Sequence, residues 1–314
     1  MQSAKNGIII ESVSTATDKA KEYGTVKNPS DQETIQTAVV SAKKTQKICV
    51  MNQTAAASGN ADFSVPPCRI AAVTHAGFRR NANEDCYGYH ISHNDTVRLL
   101  AVADGIGGHG NGDHASNLLI RELLNFWRKH CDSFDITQWE IITNALKKQL
   151  TVINERLHEI NDAIGIKVPM GSTLALLLLL PGKAITLHAG DSRIYRLREQ
   201  EFTPLTEDHS YITEFLKSGT LTKEKAADHP LAHVILRSIG TLAHVDIEIN
   251  TYDLKDGDSF VVCSDGLTEH LNDDMIRNIM IHNSEPADVV KELLQETLRN
   301  GAHDNVTALY TKYQ

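Results

Sequence analysis

Cysteine, aromatic side chains and long apolar runs are all scarce in this 314-residue chain. The five cysteines (Cys49, Cys68, Cys86, Cys131, Cys263) are scattered, odd in number and never in a CxxC pair. That spacing argues against a zinc or disulfide framework and predicts reduced thiols in a cytoplasmic protein. The longest uninterrupted apolar stretch, Leu174 to Leu180, has seven residues and is stopped by Pro181. A bilayer span needs about 20. No extended apolar stretch follows Met1, so neither a signal peptide nor a membrane partner is predicted. Positive charge is short too: 31 Lys and Arg against 40 Asp and Glu leave a formal net charge of −9. Residues 1–62 hold seven basic and six acidic residues, so the excess of acid falls on the remainder. Without a local basic patch such a domain suits no polyanion, and nucleic acid is not expected as a partner.

What is present is a core-sized hydrophobic fraction, 41%, distributed unevenly. Residues 1–65 are rich in Ser, Thr, Ala, Asn, Gln and Lys and end near "SVPPC". Their composition predicts a disordered arm, the catalytic unit being 66–314. From Arg69 onward come short β-like runs: "RIAAVT", "RLLAVA", "TLALLLLL", "AITLHA", "SRIYRL", "SFVVCS" and "VTALYT". Several are nearly all apolar, as strands buried between two layers are. Pro181-Gly182 predicts a hairpin turn, and Gly190-Asp191-Ser192 a second turn. Trp139, Ile142, Leu146, Leu150, Ile153, Leu157 and Ile160 make a helical stripe, and Ala115, Leu119, Leu123 and Phe126 another. A third helix is predicted to be capped by Ser284, with Pro286 in its first turn, and to stop at Gly301. Strands in hairpin-like groups without βαβ alternation predict an α+β fold: two antiparallel sheets covered by helices.

Acids recur at the ends of these strands. "LLAVADG" reaches Asp104, "ITLHAGDS" Asp191 and "SFVVCSDG" Asp265, while "GAHDNVT" sets Asp304 just before a strand and "RRNANEDCYGY" holds Glu84 and Asp85. Singly, Asp-Gly and Gly-Asp are ordinary turn dipeptides. Gathered on one rim, the carboxylates would repel unless cations neutralised them. All-oxygen sites favour Mg²⁺ or Mn²⁺ over zinc, and a pair of such ions suits hydrolysis at phosphorus. Five of the eight residues from Gly105 to Gly112 are glycine, which would let a backbone carbonyl approach an ion.

The blocks "THAGFRRNANEDCYGY", "LLAVADGIGGHGNGDHAS", "GSTLALLLLL", "LHAGDSRIYRLREQEFTPLTEDHSY", "HVILRSIG", "FVVCSDGLTEH" and "HDNVTALY" resemble, in order and spacing, the motifs of the metal-dependent protein phosphatases. This is the PPM family, type 2C, in its bacterial serine/threonine branch, matched over about 69–314. The resemblance implies a four-layer αββα sandwich and hydrolysis of phosphoserine and phosphothreonine with two Mn²⁺ or Mg²⁺ ions and a weaker third. It implies that Asp104 bridges both ions with the Gly105 carbonyl on one, that Asp265 and Asp304 hold the other, and that Asp191 serves the third. Glu84 and Asp85 would lie close by, through ion-bound waters. Arg80, with Arg79 as competitor, would grip the phosphate through its forked guanidinium. His109 stands where many members carry a histidine assigned to protonate the leaving serine oxygen; among 15 histidines a non-catalytic role stays open. The stretch 207–240 resembles the mobile bacterial flap that touches substrate. Ile106, Asp113 and Ala302-His303 depart from the usual residues, and none of them removes a ligand.

The partners implied are phosphoproteins, among them a Ser/Thr kinase or its targets, acted on by a monomer. Two rivals remain at this level. A catalytically weak binding module would be expected to have lost an ion ligand. Another metal-dependent phosphoesterase, such as a nuclease, would sit poorly with the acidic domain.

Overall fold

The structure, a computed structural model, describes residues 70–314 apart from 93–94, 108–110, 166, 223–224, 226–228 and 232–233, together with the backbone of 8–9 and 47–50. Two antiparallel sheets lie face to face. The first runs β1 (Ile8–Ile9), β2 (Lys47–Val50), β3 (Ile70–His75), β13 (Val306–Lys312), β12 (Ser259–Cys263), β9 (Arg193–Arg198), β10 (Glu201–Pro204). The second runs β11 (Glu248–Asp253), β8 (Lys183–Ala189), β7 (Leu174–Leu180), β5 (Arg98–Ile106), β4 (Asp85–Ile91), with β6 (Gly171–Ser172) paired to the end of β5.

The near-continuous apolar strands are explained by burial on both faces. In β7, Leu174, Leu176, Leu178 and Leu180 face the helices α1 (Gly112–His130) and α2 (Trp139–Ile164), while Ala175, Leu177 and Leu179 face the other sheet. In β12, Phe260 and Val262 point between the sheets, and Val261 and Cys263 point at α5 (Asp273–His282) and α6 (Pro286–Arg299). Three apolar layers thus separate four structural ones, the expected αββα order. The α2 stripe belongs to the same core as α1 and the helix-facing side of the second sheet, and Gly165, at φ +67°, ends the helix in the left-handed conformation.

Of the first 65 residues, the backbone of 8–9 and 47–50 joins the first sheet, β2 pairing with β3 and β1 with β2. "KICV" is a short β-forming run beside a strand that would otherwise be an open edge; the rest of the arm lies outside the described residues. Two expectations need correction. The cap of α6 is Glu285, which makes no side-chain bond, rather than Ser284, because Pro286 already fixes the first turn. The apolar run to Asp104 does not end there: β5 continues to Ile106, exchanging β7 for β6 as its neighbour.

Candidate active site

The acids meet at one rim because both sheets deliver their strand ends to it. Asp85 and Asp104 are direct cross-strand partners on β4 and β5. Asp265 opens the short helix α4 (Asp265–Thr268) directly after β12, and Asp304 precedes β13. Asp191 lies between β8 of one sheet and β9 of the other, so the turn foreseen at 190–192 is the chain's crossing between layers. Asp104, Asp191, Asp265 and Asp304 all line a cleft of about 540 Å³, together with Arg79, Arg80, Glu84, Gly105 and His303.

Hydroxyls and one amide fix the backbone under these carboxylates. The Asp104 N–H donates to Thr173 Oγ1 (2.9 Å), and the Asp104 carbonyl accepts from the Thr173 N–H (2.8 Å) and Ser172 Oγ (3.0 Å). Thr173 Oγ1 in turn shares a hydrogen bond with Ser192 Oγ (2.7 Å), the residue after Asp191. Asn305 accepts from the Glu84 N–H (2.8 Å) and donates to the carbonyls of Ala76 (3.0 Å) and Ala82 (2.9 Å). It therefore ties the loop carrying Arg80 to the residue beside Asp304. Thr173→Val keeps the shape and strands two buried polar groups. It is expected to cost about 3 kcal/mol, roughly 6–12 °C in melting temperature, and to lower kcat more than it raises KM. Thermal melts beside steady-state kinetics check this.

The glycines are explained by backbone contact. A Cβ on Gly105 would fall 2.2 Å from the Gly112 carbonyl oxygen, and one on Gly112 would fall 2.5 Å from the Gly105 oxygen. The start of α1 can lie on β5 only where both lack side chains. Close approach of α1 accounts for these two glycines without an ion.

The rim is electrostatically uncomfortable by itself. The Asp104, Asp191 and Asp265 residues keep some surface on the cleft, yet protein has replaced most of the surrounding water. Desolvation first, and neighbouring carboxylates second, push Asp191 up to about 8, Asp265 to about 6 and Asp104 well above the usual range. Burial raises Asp85 to about 7 even though its Oδ2 accepts from Ser264 Oγ at 2.8 Å. Glu84 is raised as well, by burial and then by Asp113. Asp85 Oδ1 and Asp265 Oδ1 are buried without a hydrogen-bond partner. Crowded, orphaned carboxylate oxygens of this kind fit hard divalent cations. Among the described residues no three ligands are yet drawn closely enough to close on an ion as they stand, and Arg80 Nη2 supplies positive charge by bonding Asp304 Oδ2.

The structure thus brings together Arg80, Glu84, Asp85, Asp104, Gly105, Asp191, Asp265 and Asp304. His109 lies outside the described residues. Thr173, Ser192, Ser264 and Asn305 were missed because a lone hydroxyl or amide beside an acid reads as turn chemistry. Their signal was position, each being next to a strand-end acid or across from one.

Residues 79–307 match the sequence profile described as protein phosphatase 2C. Protein phosphatase PhpP of Streptococcus pneumoniae is 31% identical over 240 residues, covering 76% of this chain and 94% of that protein. Among solved structures, the S. agalactiae serine/threonine phosphatase superposes with a TM-score of 0.72 at 31% identity, over 78% of this chain and 99% of the other. The catalytic domain of serine threonine protein phosphatase PstP, solved in complex with 2 manganese ions, gives 0.66 at 29% identity, over 78% and 98%.

Proposed function

The chain belongs to the protein phosphatase 2C family of metal-dependent serine/threonine phosphatases, and from that premise we propose that the acid rim is its reaction centre, with each residue in a definite role. Phosphoproteins are its substrates and Mn²⁺ or Mg²⁺ its cofactor. Asp104, with the Gly105 carbonyl, and Asp265 and Asp304 would hold two ions, and Asp191 a weaker third. When bound, the ions supply a water acidic enough to attack at neutral pH and positive charge for the phosphoryl oxygens. The observation carrying this reading is the pair of buried, unpartnered oxygens, Asp85 Oδ1 and Asp265 Oδ1, beside Asp104 and Asp191, which burial and neighbouring carboxylates hold above the usual carboxylate range.

The other residues bind and orient. Arg80 stands at the cleft mouth, and its bond to Asp304 leaves it poised to turn its fork onto two phosphate oxygens when the charge on Asp304 is otherwise met. Glu84 and Asp85 would hold ion-bound water, Asp85 through its unpartnered Oδ1. His109 follows the glycine turn and would deliver a proton to the leaving oxygen. The substrate pool would include a Ser/Thr kinase or its targets, and the scattered cysteines favour the cytoplasm as the working compartment. Among the described residues no helix is long and apolar enough to cross a membrane.

Arg80→Ala tests the assignment. It is expected to raise KM for a phosphothreonine peptide about tenfold with kcat changed less, since a phosphate contact made before and during attack is removed. Arg79→Ala is the control. An unchanged KM for Arg80→Ala with a raised one for Arg79→Ala would transfer the role to Arg79.

A further inference from the structure

Pairing between β12 and β13 ends just short of two of the acids. Its last link runs through Ser264 and Thr307: the Ser264 N–H donates to the Thr307 carbonyl (3.0 Å), and the Thr307 N–H to Ser264 Oγ (3.0 Å). Asp265 lies beyond that link on one segment and Asp304 on the other. Burial first, then Glu269 and Asp304, push the Asp265 carboxyl up to about 6, so the two acids repel where nothing neutralises them. Their spacing needs a tie other than the ladder.

Neither segment is firm by itself. Helix α4 has four residues, and its N-cap Ser264 makes no side-chain bond to it. The other short helix, α3 (Tyr211–Lys217), is capped by Ser210 Oγ, which accepts from the Thr213 N–H (3.2 Å). A single uncapped turn fixes many dihedrals for few hydrogen bonds and does not stand alone in water. The turn before Asp304 is strained as well. Gly301 sits at φ +108°, and the buried Ala302 at φ +34°, a region that a Cβ disfavours. Such a residue keeps its conformation only where its surroundings overdetermine it.

One side chain joins the two segments. His270, half-buried and two residues past α4, turns its ring back onto the helix. Its Nδ1 donates to the Gly266 carbonyl (3.0 Å), and its Nε2 accepts from the His303 N–H (3.1 Å). A carbonyl can only accept and an amide N–H can only donate, so both bonds are met by one neutral tautomer, with the proton on Nδ1. Gly266 follows Asp265 and His303 precedes Asp304. A rigid ring therefore spans the two turns that carry the acids. The rings of His270 and His303 also meet edge to face, with centroids 5.2 Å apart and planes at 71°, and His303 lines the cleft. At Gly266 a Cβ would collide with the Asn305 carbonyl oxygen. Backbone contact there keeps the turns from closing further, and His270 keeps them from parting.

We propose that His270 is a positioning residue that sets the distance between Asp265 and Asp304 by bridging the Gly266 carbonyl and the His303 N–H. The proposal rests on the reading that these two acids hold one Mn²⁺ or Mg²⁺ ion between them. His270 acts through the backbone beside each acid, and it does so before any ion arrives. Two like charges are thereby kept at a working separation, and binding does not have to order the strained turn as well.

Two variants divide the ring. In His270→Gln the amide reaches the position of Nε2, and its oxygen accepts from the His303 N–H. In His270→Asn the amide reaches only the position of Nδ1, keeping the bond to Gly266 and releasing His303. Hydrogen exchange at the His303 amide of the metal-free protein is expected to rise at least tenfold in His270→Asn and less than threefold in His270→Gln. Calorimetric Mn²⁺ titration is expected to show one ion bound about tenfold more weakly in His270→Asn and within threefold of wild type in His270→Gln. Turnover of an aryl phosphate by His270→Asn should fall at limiting Mn²⁺ and recover at saturating Mn²⁺, with KM little changed. A deficit that saturating Mn²⁺ does not repair overturns the brace, as does equal His303 exchange or equal Mn²⁺ affinity in the two variants. Should His270→Asn fail to fold, His270→Gln still decides: a tenfold loss of Mn²⁺ affinity there overturns the proposal, and near wild-type affinity with a protected His303 amide upholds it. Asp304→Asn separates the underlying reading. Unchanged Mn²⁺ affinity in Asp304→Asn overturns the role of Asp304, whereas wild-type affinity in His270→Asn beside a weakened Asp304→Asn overturns the brace alone.

Discussion

Asp104→Asn is expected to abolish hydrolysis, by at least about 10³-fold or ~4 kcal/mol of barrier, while leaving the protein folded and more stable than the wild type without metal. The two halves follow from the same geometry. The backbone of Asp104 is held by Thr173 and Ser172, bonds that asparagine keeps, so the strand end does not move. What disappears is an acid facing Asp85, Asp191 and Asp265 together. With metal its ionised form is needed, since an amide oxygen is a neutral and weaker ligand for a divalent ion. Without metal it must either ionise against its neighbours in a desolvated site or hold a proton that the unfolded chain releases, and asparagine removes that cost. Activity and metal-free melting temperature should therefore move in opposite directions. A variant that is inactive and also less stable than the wild type would mean that Asp104 is a structural acid.

Removing metal from the wild-type protein should make its stability fall as pH rises, the reverse of the usual behaviour of paired carboxylates. Asp85 at about 7, Asp191 at about 8 and Asp104, pushed well above its usual value, hold protons in the folded state that the unfolded chain has released above pH ~4. The folded protein binds more protons across that interval, so unfolding becomes easier with each step up in pH until the folded groups ionise. Between pH 6.5 and 8.5, where His188 stays neutral, the loss is expected to be on the order of 2–4 kcal/mol, or roughly 5–10 °C. Saturating Mn²⁺ should flatten the profile, because bound cations replace the protons. Scanning calorimetry at several pH values, with chelator and with Mn²⁺, reads both effects. A chelated protein whose melting temperature climbs over this window would contradict the crowding of the rim.

The parts of this architecture legible in the sequence were those carried by doubly buried strands and one-sided helices. "TLALLLLL", "SFVVCS" and "VTALYT" became β7, β12 and β13 within a residue or two, because burial on both faces writes an apolar run with no alternation to misread. The strand "DCYGYHI" was not legible. Its Gly88 lies where a Cβ would meet Leu124 Cδ1 at 2.5 Å, so contact with α1 replaces a β-forming residue with the one that local propensity counts against. The acids were visible as a recurrence at strand ends. Their supports were not, since the bond between Thr173 and Ser192 and the reach of Asn305 to Ala76 depend on register between distant segments. The sequence also did not disclose that 190–192 crosses between sheets, because a crossing and a hairpin use the same turn residues.

That crossing sets when an ion can matter during self-assembly. The β4–β5 pair carries Asp85 and Asp104, and the β12–β13 pair brings Asp265 and Asp304. The two pairs belong to different layers, and neither is a complete cage. An ion consequently gains nothing from a half-built chain and rewards only the closed sandwich, by mass action on the finished state. Metal should slow unfolding far more than it speeds folding, acting as a bolt drawn after the door has shut.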